Sequence, residues 1–331
     1  MSLKLGFLFQ GECKQESLPF LYELYATLKK NCHDFFIVVS CWGDDKYSNI
    51  IAEKLNLLDK DRVKITVNQK PVISGARNIN LQAQSCAYGI KELERMLSND
   101  DLVVKCRLDQ AFSIDSMMNY IEQFKNSKKG FMALDIFTRR RVPFHLGDMI
   151  LCMPLSSHKN YWTLESFSYE LEYLQWLNGS ECSVARLTDR NLTKCIPEVR
   201  LLTEYLKKQG QSSFTLKDWY NFLKNDVFLM SSEKLCLFSF KSNNFCNKKT
   251  VMAATYFSPI QFRVSPIIVE CVEEDEKLYE LSVLSVKILN AVAFLPYIIM
   301  GMTKLIMKRL LNLLKMAIKF LINLENSSAI K

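Results

Sequence analysis

In the stretch LVVKCRLDQAF, residues 102–112, Lys105, Arg107 and Asp109 occupy every second position of an otherwise apolar run. Removing an unpaired ion from water costs several kcal/mol, on the order found after protein relaxation, so three charges in one strand need partners or a ligand. An ammonium and a guanidinium beside a carboxylate suit a phosphorylated substrate, handled with or without a divalent metal. Upstream, SGARNINLQAQS (74–85) reads as a helix start. Its first amides favour an anion, and helical spacing puts Asn78, Gln82 and Ser85 on one flank.

These residues depend on the elements that carry them. Apolar runs predict strands near Leu3–Phe9, Phe35–Cys41, Val63–Val67, Leu102–Leu108 and Gly130–Phe137, with a further strand at Asp148–Met153. Between them fall helical patterns near Pro19–Lys29, Tyr47–Leu57 and Ile114–Phe124. A helix starting near Ala76 would bury Ile79, Ala83, Cys86, Ile90, Leu93 and Leu97 at three- and four-residue spacing. Helices are also predicted at Leu164–Trp176 and Glu198–Lys208, and short strands and turns over 225–270. This order implies an α/β protein whose mostly parallel sheet is flanked by helices on both sides. Ligands in such sheets sit at the carboxyl ends of the strands, where Asp109 falls, so its carboxyl is expected to project into an open crevice.

At 331 residues and 49% hydrophobic composition the chain can form a large core and is not a disordered protein. The net charge of +8 is concentrated. Lys287, Lys304, Lys308, Arg309, Lys315 and Lys319 fall between Leu281 and Leu324 with no acid among them, and the remainder is close to neutral. A nucleic-acid binder would spread its basic footprint over the folded body, so no nucleic-acid partner is expected. The eleven cysteines are scattered, without a CxxC pair. Cys41, Cys86, Cys106 and Cys152 read as buried reduced thiols of a protein in the reducing cytosol. The N-terminus reads as a first strand and not as a signal peptide.

The order of VVSCWGDD (38–45), GARNINLQAQS and VVKCRLDQ resembles the GT-A glycosyltransferases, and more closely the WavE family linked to lipopolysaccharide core synthesis. Asn78, Asn80 and Gln82 match an Asn-x-Asn-x-Gln helix start. Lys105, Arg107 and Asp109 match a Lys-x-Arg-x-Asp strand. His145 and Asp148 match a later His-x-x-Asp segment, and Pro197-Glu198 a Pro-Glu at a helix start. The resemblance covers roughly residues 3–210, and the order of its motifs is more specific than any one of them.

The resemblance implies a GT-A-like nucleotide-sugar-binding catalytic domain over residues 1–270. Its reaction would move a sugar from a nucleotide-sugar donor to a lipopolysaccharide core, capsule or related surface glycan. Such a reaction needs charge neutralisation at the diphosphate and, for inversion, a base at the acceptor hydroxyl. Lys105 and Arg107 would meet the diphosphate; Arg77, Asn78, Gln82 and Asp44 would support the nucleotide or sugar. Glu198 is the candidate base and Asp148 its competitor. GT-A enzymes usually hold a metal with an Asp-x-Asp pair, but Arg107 stands at the first of those positions here. Manganese or magnesium would then rest on Asp109 and His145. Alternatively the two cations replace the metal, and Asp109 orients the arginine or the sugar.

Two other functions fit the same residues: a catalytically silent GT-A-like membrane adaptor, and a sugar-phosphate nucleotidyltransferase. The usual glycine-rich, lysine-bearing loop of the latter is missing, since Phe9–Lys14 offers only Gly11.

Residues 271–331 read as a C-terminal helical, membrane-associating segment. Ile288–Thr303 is uncharged but shorter than the roughly 20 residues that span a bilayer, and Pro296 interrupts it. Lys304, Lys308, Asn312, Lys315, Lys319 and Asn323 then recur on one side of a basic amphipathic helix. Cations near an anionic leaflet contribute about 1 kcal/mol each. The expected place is the cytoplasmic, inner face of the cell membrane, next to a lipid-linked glycan acceptor.

Overall fold

The structure is a computed structural model that describes residues 4–31, 34–72, 78–136, 138, 144–163, 197–241 and 243–245. The expected helix at Leu164–Trp176 and the basic segment after residue 270 lie outside these residues. No helix among those described is long and apolar enough to cross a membrane.

Strands β1 (Leu5–Gln10), β2 (Phe35–Trp42), β3 (Val63–Asn68) and β4 (Leu102–Arg107) come first, then a two-residue β5 (Gln110–Ala111). They are followed by β6 (Phe131–Leu134), β7 (Leu151–Pro154), β8 (Val227–Met230), β9 (Phe238–Ser239) and β10 (Asn244–Phe245). Helices α1 (Ser17–Asn31), α2 (Ser48–Asn56), α3 (Ile79–Leu93), α4 (Ile114–Asn126) and α5 (Leu155–Tyr161) precede α6 (Pro197–Lys208) and α7 (Leu216–Asp226). The main sheet has seven strands in the order β3-β2-β1-β4-β7-β6-β8. Only β7 runs against its neighbours, pairing antiparallel with β4 and β6. This is the mostly parallel α/β architecture expected from the sequence.

Both faces are covered, which is why β1 reads as a near-continuous apolar run and why all of β4 but the part-exposed Arg107 is buried, Lys105 included. Helices α1, α2 and α4 pack on one face with Val104 and Cys106; α3, α5, α6 and α7 pack on the other with Val103. All six residues expected to form the buried face of α3 are buried, Leu97 among them just past its end. Gly89 lets α3 lie close to β1, since a Cβ there would stand 2.1 Å from Leu8 Cδ1.

The chain steps outward from β1 to β3 through α1 and α2 on one face, then returns through α3 on the other to place β4 beside β1. The order therefore reverses between β1 and β4, and a crevice is expected beyond their carboxyl ends. Gln10 and Arg107 are register partners there. A small sheet, β10-β9-β5, forms next to this end, and Phe240 N–H donates to the Asp109 carbonyl at 2.9 Å.

Two boundaries differ from the sequence reading in ways that matter. The fourth strand ends at Arg107, because Leu108 N–H turns to the Gln10 carbonyl (3.0 Å) and Ser17 Oγ donates to the Leu108 carbonyl (2.5 Å). Asp148 is not in a strand. Residues 145–148 are irregular, held by the buried side chains of Phe144 and Leu146 and by Gly147 N–H donating to Thr138 Oγ1 at 3.0 Å.

Candidate functional site

Lys105 and Arg107 share the β4 face that packs toward α3, α5 and α6, but they sit at different depths. Lys105 is fully buried. Its ammonium donates to the Asp148 carbonyl, lies 3.8 Å from the Asp148 carboxylate, and stands 5.2 Å from the centre of the Trp162 ring. A lysine so enclosed does not reach a diphosphate in this arrangement, so the structure places it behind the site, tying β4 to residues 145–148.

Arg107, with a third of its side chain exposed, is the charged group that faces solvent. Its Nε and Nη2 each donate to one Asp109 oxygen at 2.8 Å. A guanidinium has five N–H donors, so three remain, and none has a partner among the described residues. Asp109 is buried, contrary to the expectation of a carboxylate projecting into the crevice: the exposed member of the pair is the arginine. Burial pushes the Asp109 carboxyl up, but the Arg107 hydrogen bonds and charge outweigh it and hold the group below its ordinary value. Burial likewise opposes the Arg107 charge, and Asp109, with Asp148 and Glu198 farther off, reverses the balance and raises its pKa.

Both candidate bases lie near this pair, although 50 residues separate them in sequence. Asp148 is buried and held above the ordinary carboxylate range by burial, with Lys105 opposing and the Glu198 charge adding to the shift. Glu198 stands in the first turn of α6, just after Pro197, with 27% of its side chain exposed. Its carboxylate lies 4.0 Å from His145 Nε2. Of the two carboxyls, Glu198 is the one a substrate hydroxyl can approach.

The rear wall was missed by sequence reasoning. On α5, His158 Nε2 is 2.9 Å from the Val103 carbonyl, and Trp162 Nε1–H donates to His158 Nδ1 at 3.0 Å. Indole is only a donor, so Nδ1 accepts and the proton resides on Nε2. Burial, the largest influence, pushes His158 down to about 3 and keeps it neutral. Trp162, positioned this way, forms the surface over which the Lys105 ammonium lies. The available signal was the spacing of His158 and Trp162, four residues apart on one helix face. Tyr161 is also buried, and its hydroxyl has no hydrogen-bond partner among the described residues. Leaving such a group unpaired costs about 1–3 kcal/mol.

Of the remaining candidates, those among the described residues lie at the start of α3, after β2 and at residues 109 and 145. Asn78 is exposed and left-handed (φ 64°) at the start of α3, and its side chain makes no capping bond to the helix. Gln82 is partly buried, with its Nε2 unpartnered among the described residues. Ser85 does not share their flank: it is buried and exchanges hydrogen bonds with Ser40 of β2. Asp44 follows β2 as expected, exposed and 2.9 Å from Lys70, which also reaches Asp45 at 3.3 Å. Arg77 lies outside the described residues. Asp109 and His145 do not fit a metal. Each Asp109 oxygen already accepts a hydrogen bond from Arg107 in a buried position, His145 Nε2 lies 4.0 Å from Glu198, and no three His, Cys, Asp or Glu side chains come together as a metal-holding set among the described residues.

No protein-family model and no curated protein matches this chain. Similar solved structures include a 4-diphosphocytidyl-2C-methyl-D-erythritol synthase, 10% identical, with 53% of this chain and 86% of that one covered at a TM-score of 0.34. Another is a putative glucose-1-phosphate thymidylyltransferase from Bacillus anthracis in complex with a sucrose, 14% identical, covering 76% and 95% of the two chains at 0.38. The second title names a thymidylyltransferase, and neither title names glycosyl transfer. At these identities and scores neither alignment bears on the chemistry of this chain.

Proposed function

We propose that this protein is a nucleotide-sugar-dependent transferase, and that its reaction is glycosyl transfer of the WavE-like kind to a lipopolysaccharide core, capsule or related surface glycan. The observation that carries the reading is Arg107: a part-exposed guanidinium at the strand-order reversal, oriented by Asp109, with three N–H donors that have no partner among the described residues. A preorganised cation of this kind stabilises charge developing on a departing diphosphate. Asn78 and Gln82 line the approach from the α3 side. In this reading Asp44, exposed just after β2 and paired with Lys70, meets the nucleotide. Glu198 takes the proton of the attacking acceptor hydroxyl, and Lys105 positions Asp148 and the His145 segment instead of touching the donor.

Nucleotidyl transfer is the second reading, and one of the two similar structures is titled a putative thymidylyltransferase. The loop after β1 argues against it. Gly11 is its single glycine, Cys13 is buried, and the Lys14 ammonium is bound to Glu12 at 2.7 Å. The two reactions leave different products. Incubating the full-length protein with a panel of nucleotide sugars, with and without manganese, is expected to release a nucleoside diphosphate, with the rate falling at least 100-fold in Arg107→Ala. Pyrophosphate formed from a nucleoside triphosphate and a sugar phosphate would establish the second reading, and no turnover with any donor would leave a binding protein.

A further inference from the structure

The Arg107–Asp109 pair forms where no strand of the main sheet holds the chain. Strand β4 ends at Arg107, and Leu108 and Asp109 make a two-residue turn into β5. A carboxylate two positions beyond an arginine grips two of its nitrogens only while the backbone between them keeps one shape. Whatever fixes this turn therefore also aims the guanidinium.

Hydrogen bonds from β1, α1 and the residue after β9 fix it. Leu108 N–H donates to the Gln10 carbonyl at 3.0 Å, and Phe240 N–H donates to the Asp109 carbonyl at 2.9 Å. From α1, the Ser17 hydroxyl donates to the Leu108 carbonyl at 2.5 Å. The first two are backbone bonds, open to many residue types at those positions, whereas the third depends on one side chain. Ser17 opens α1, yet its hydroxyl is not spent on that helix. A serine at a helix start commonly accepts from an amide inside its own first turn. Here Oγ accepts from Lys14 N–H, three residues earlier, at 3.2 Å, while Ser17 N–H donates to the Lys14 carbonyl at 3.1 Å. A hydroxyl has one proton to give, and that of Ser17, in a buried position, goes to the tip of β4.

We propose that Ser17 is a positioning residue for the Arg107–Asp109 pair: by holding the Leu108 carbonyl, it keeps Asp109, and through it the guanidinium, in one orientation. Alanine at this position leaves the buried Leu108 carbonyl without the Ser17 donor and the Lys14 amide without its acceptor, so the turn relaxes. The effect reaches Arg107 through Asp109 and not through contact with a substrate. Its consequence for turnover rests on the transferase reading of Arg107; the link from Ser17 to the pair does not.

Any buried hydrogen bond adds stability, so the test reads the arginine itself. Arg107 Nε–H donates to Asp109, which shelters it from exchange with water. Its nitrogen–proton NMR signal, assigned by its loss in Arg107→Lys, is followed in the full-length protein. Exchange is expected to be at least tenfold faster in Ser17→Ala. In Asp109→Asn it is already fast, and adding Ser17→Ala should change it no further. Ser85→Ala, which removes another buried hydroxyl from the bonds between α3 and β2, should leave the signal as in wild type. If Ser17→Ala does not fold, Ser17→Cys, whose thiol is a weak donor, takes its place. Equal protection in wild type and the Ser17 variant, equal loss in Ser85→Ala, or a Ser17 effect undiminished without Asp109 overturns the inference. Turnover separates it from the transferase reading. Ser17-dependent protection in a protein that turns over no nucleotide sugar sinks that reading and leaves the role of Ser17 standing. Turnover that Arg107→Ala reduces and Ser17→Ala does not, with protection unchanged, does the reverse.

Discussion

A guanidinium that commits two of its five donors to a neighbouring carboxylate is fixed in orientation yet still able to bind an anion, and Arg107 is in that state. Asp109 is therefore a positioning residue as much as a charge. Its loss should show in stability as well as in turnover. Its folded-state pKa lies below the ordinary 3.8, so ionisation stabilises the native state; that contribution is complete above pH 3.8 and is lost as pH falls through the lowered value. Thermal unfolding of Asp109→Asn across the acid range should show a flatter pH dependence than wild type, together with transfer reduced at least 100-fold. An acid limb as steep as wild type, or near-normal turnover, would remove the Arg107–Asp109 pair from the site. The buried thiols agree with the sequence expectation: Cys41, Cys86, Cys106 and Cys152 are all free and buried, and burial pushes Cys86 up to about 12.

At the scale of elements, the site depends on α5 being locked onto β4. That lock is the bond from His158 Nε2–H to the Val103 carbonyl, with Trp162 donating to the other ring nitrogen. The unfolded chain takes up a proton on His158 near pH 6.5, whereas the folded one resists until about 3. The unfolded state thus binds more protons between these values, and stability falls as pH drops through them, by up to about 1.4 kcal/mol per pH unit from this group. Urea unfolding between pH 7 and 4 should show that slope in wild type and a shallower one in His158→Gln. Equal slopes would mean that the ring titrates normally. Sequence periodicity placed α3, α4 and most strands to within a few residues, because burial on one face imposes a period that is visible in the residues themselves. It did not reveal α5 as a wall of the site, since a seven-residue helix carries too few turns for a pattern.

For the whole molecule, the sheet order brings β4, residues 145–148 and the start of α6 together: Lys105 meets Asp148, and His145 meets Glu198. Its charge is divided in a second way: the cations of 287–319 supply six of the net +8. Attraction to an anionic surface falls with salt. Full-length protein should co-sediment with phosphatidylserine-containing vesicles at low ionic strength, less so in 1 M salt, and less so when Lys308, Lys315 and Lys319 are changed to Glu. Equal recovery in the supernatant with and without vesicles would refute membrane association. The sequence by itself determined the α/β architecture and the concentration of charge at one strand end, because local periodicity and composition record which faces are buried. The grouping of Arg107, Asp109, Asp148 and Glu198 came from the resemblance to the WavE family and not from periodicity or composition. Only the tertiary structure decided which of those charges meets solvent: Lys105 and Arg107 are two residues apart on the same face, and the packing of Trp162 and residues 145–148 over one but not the other makes the first a buried tie and the second an open donor.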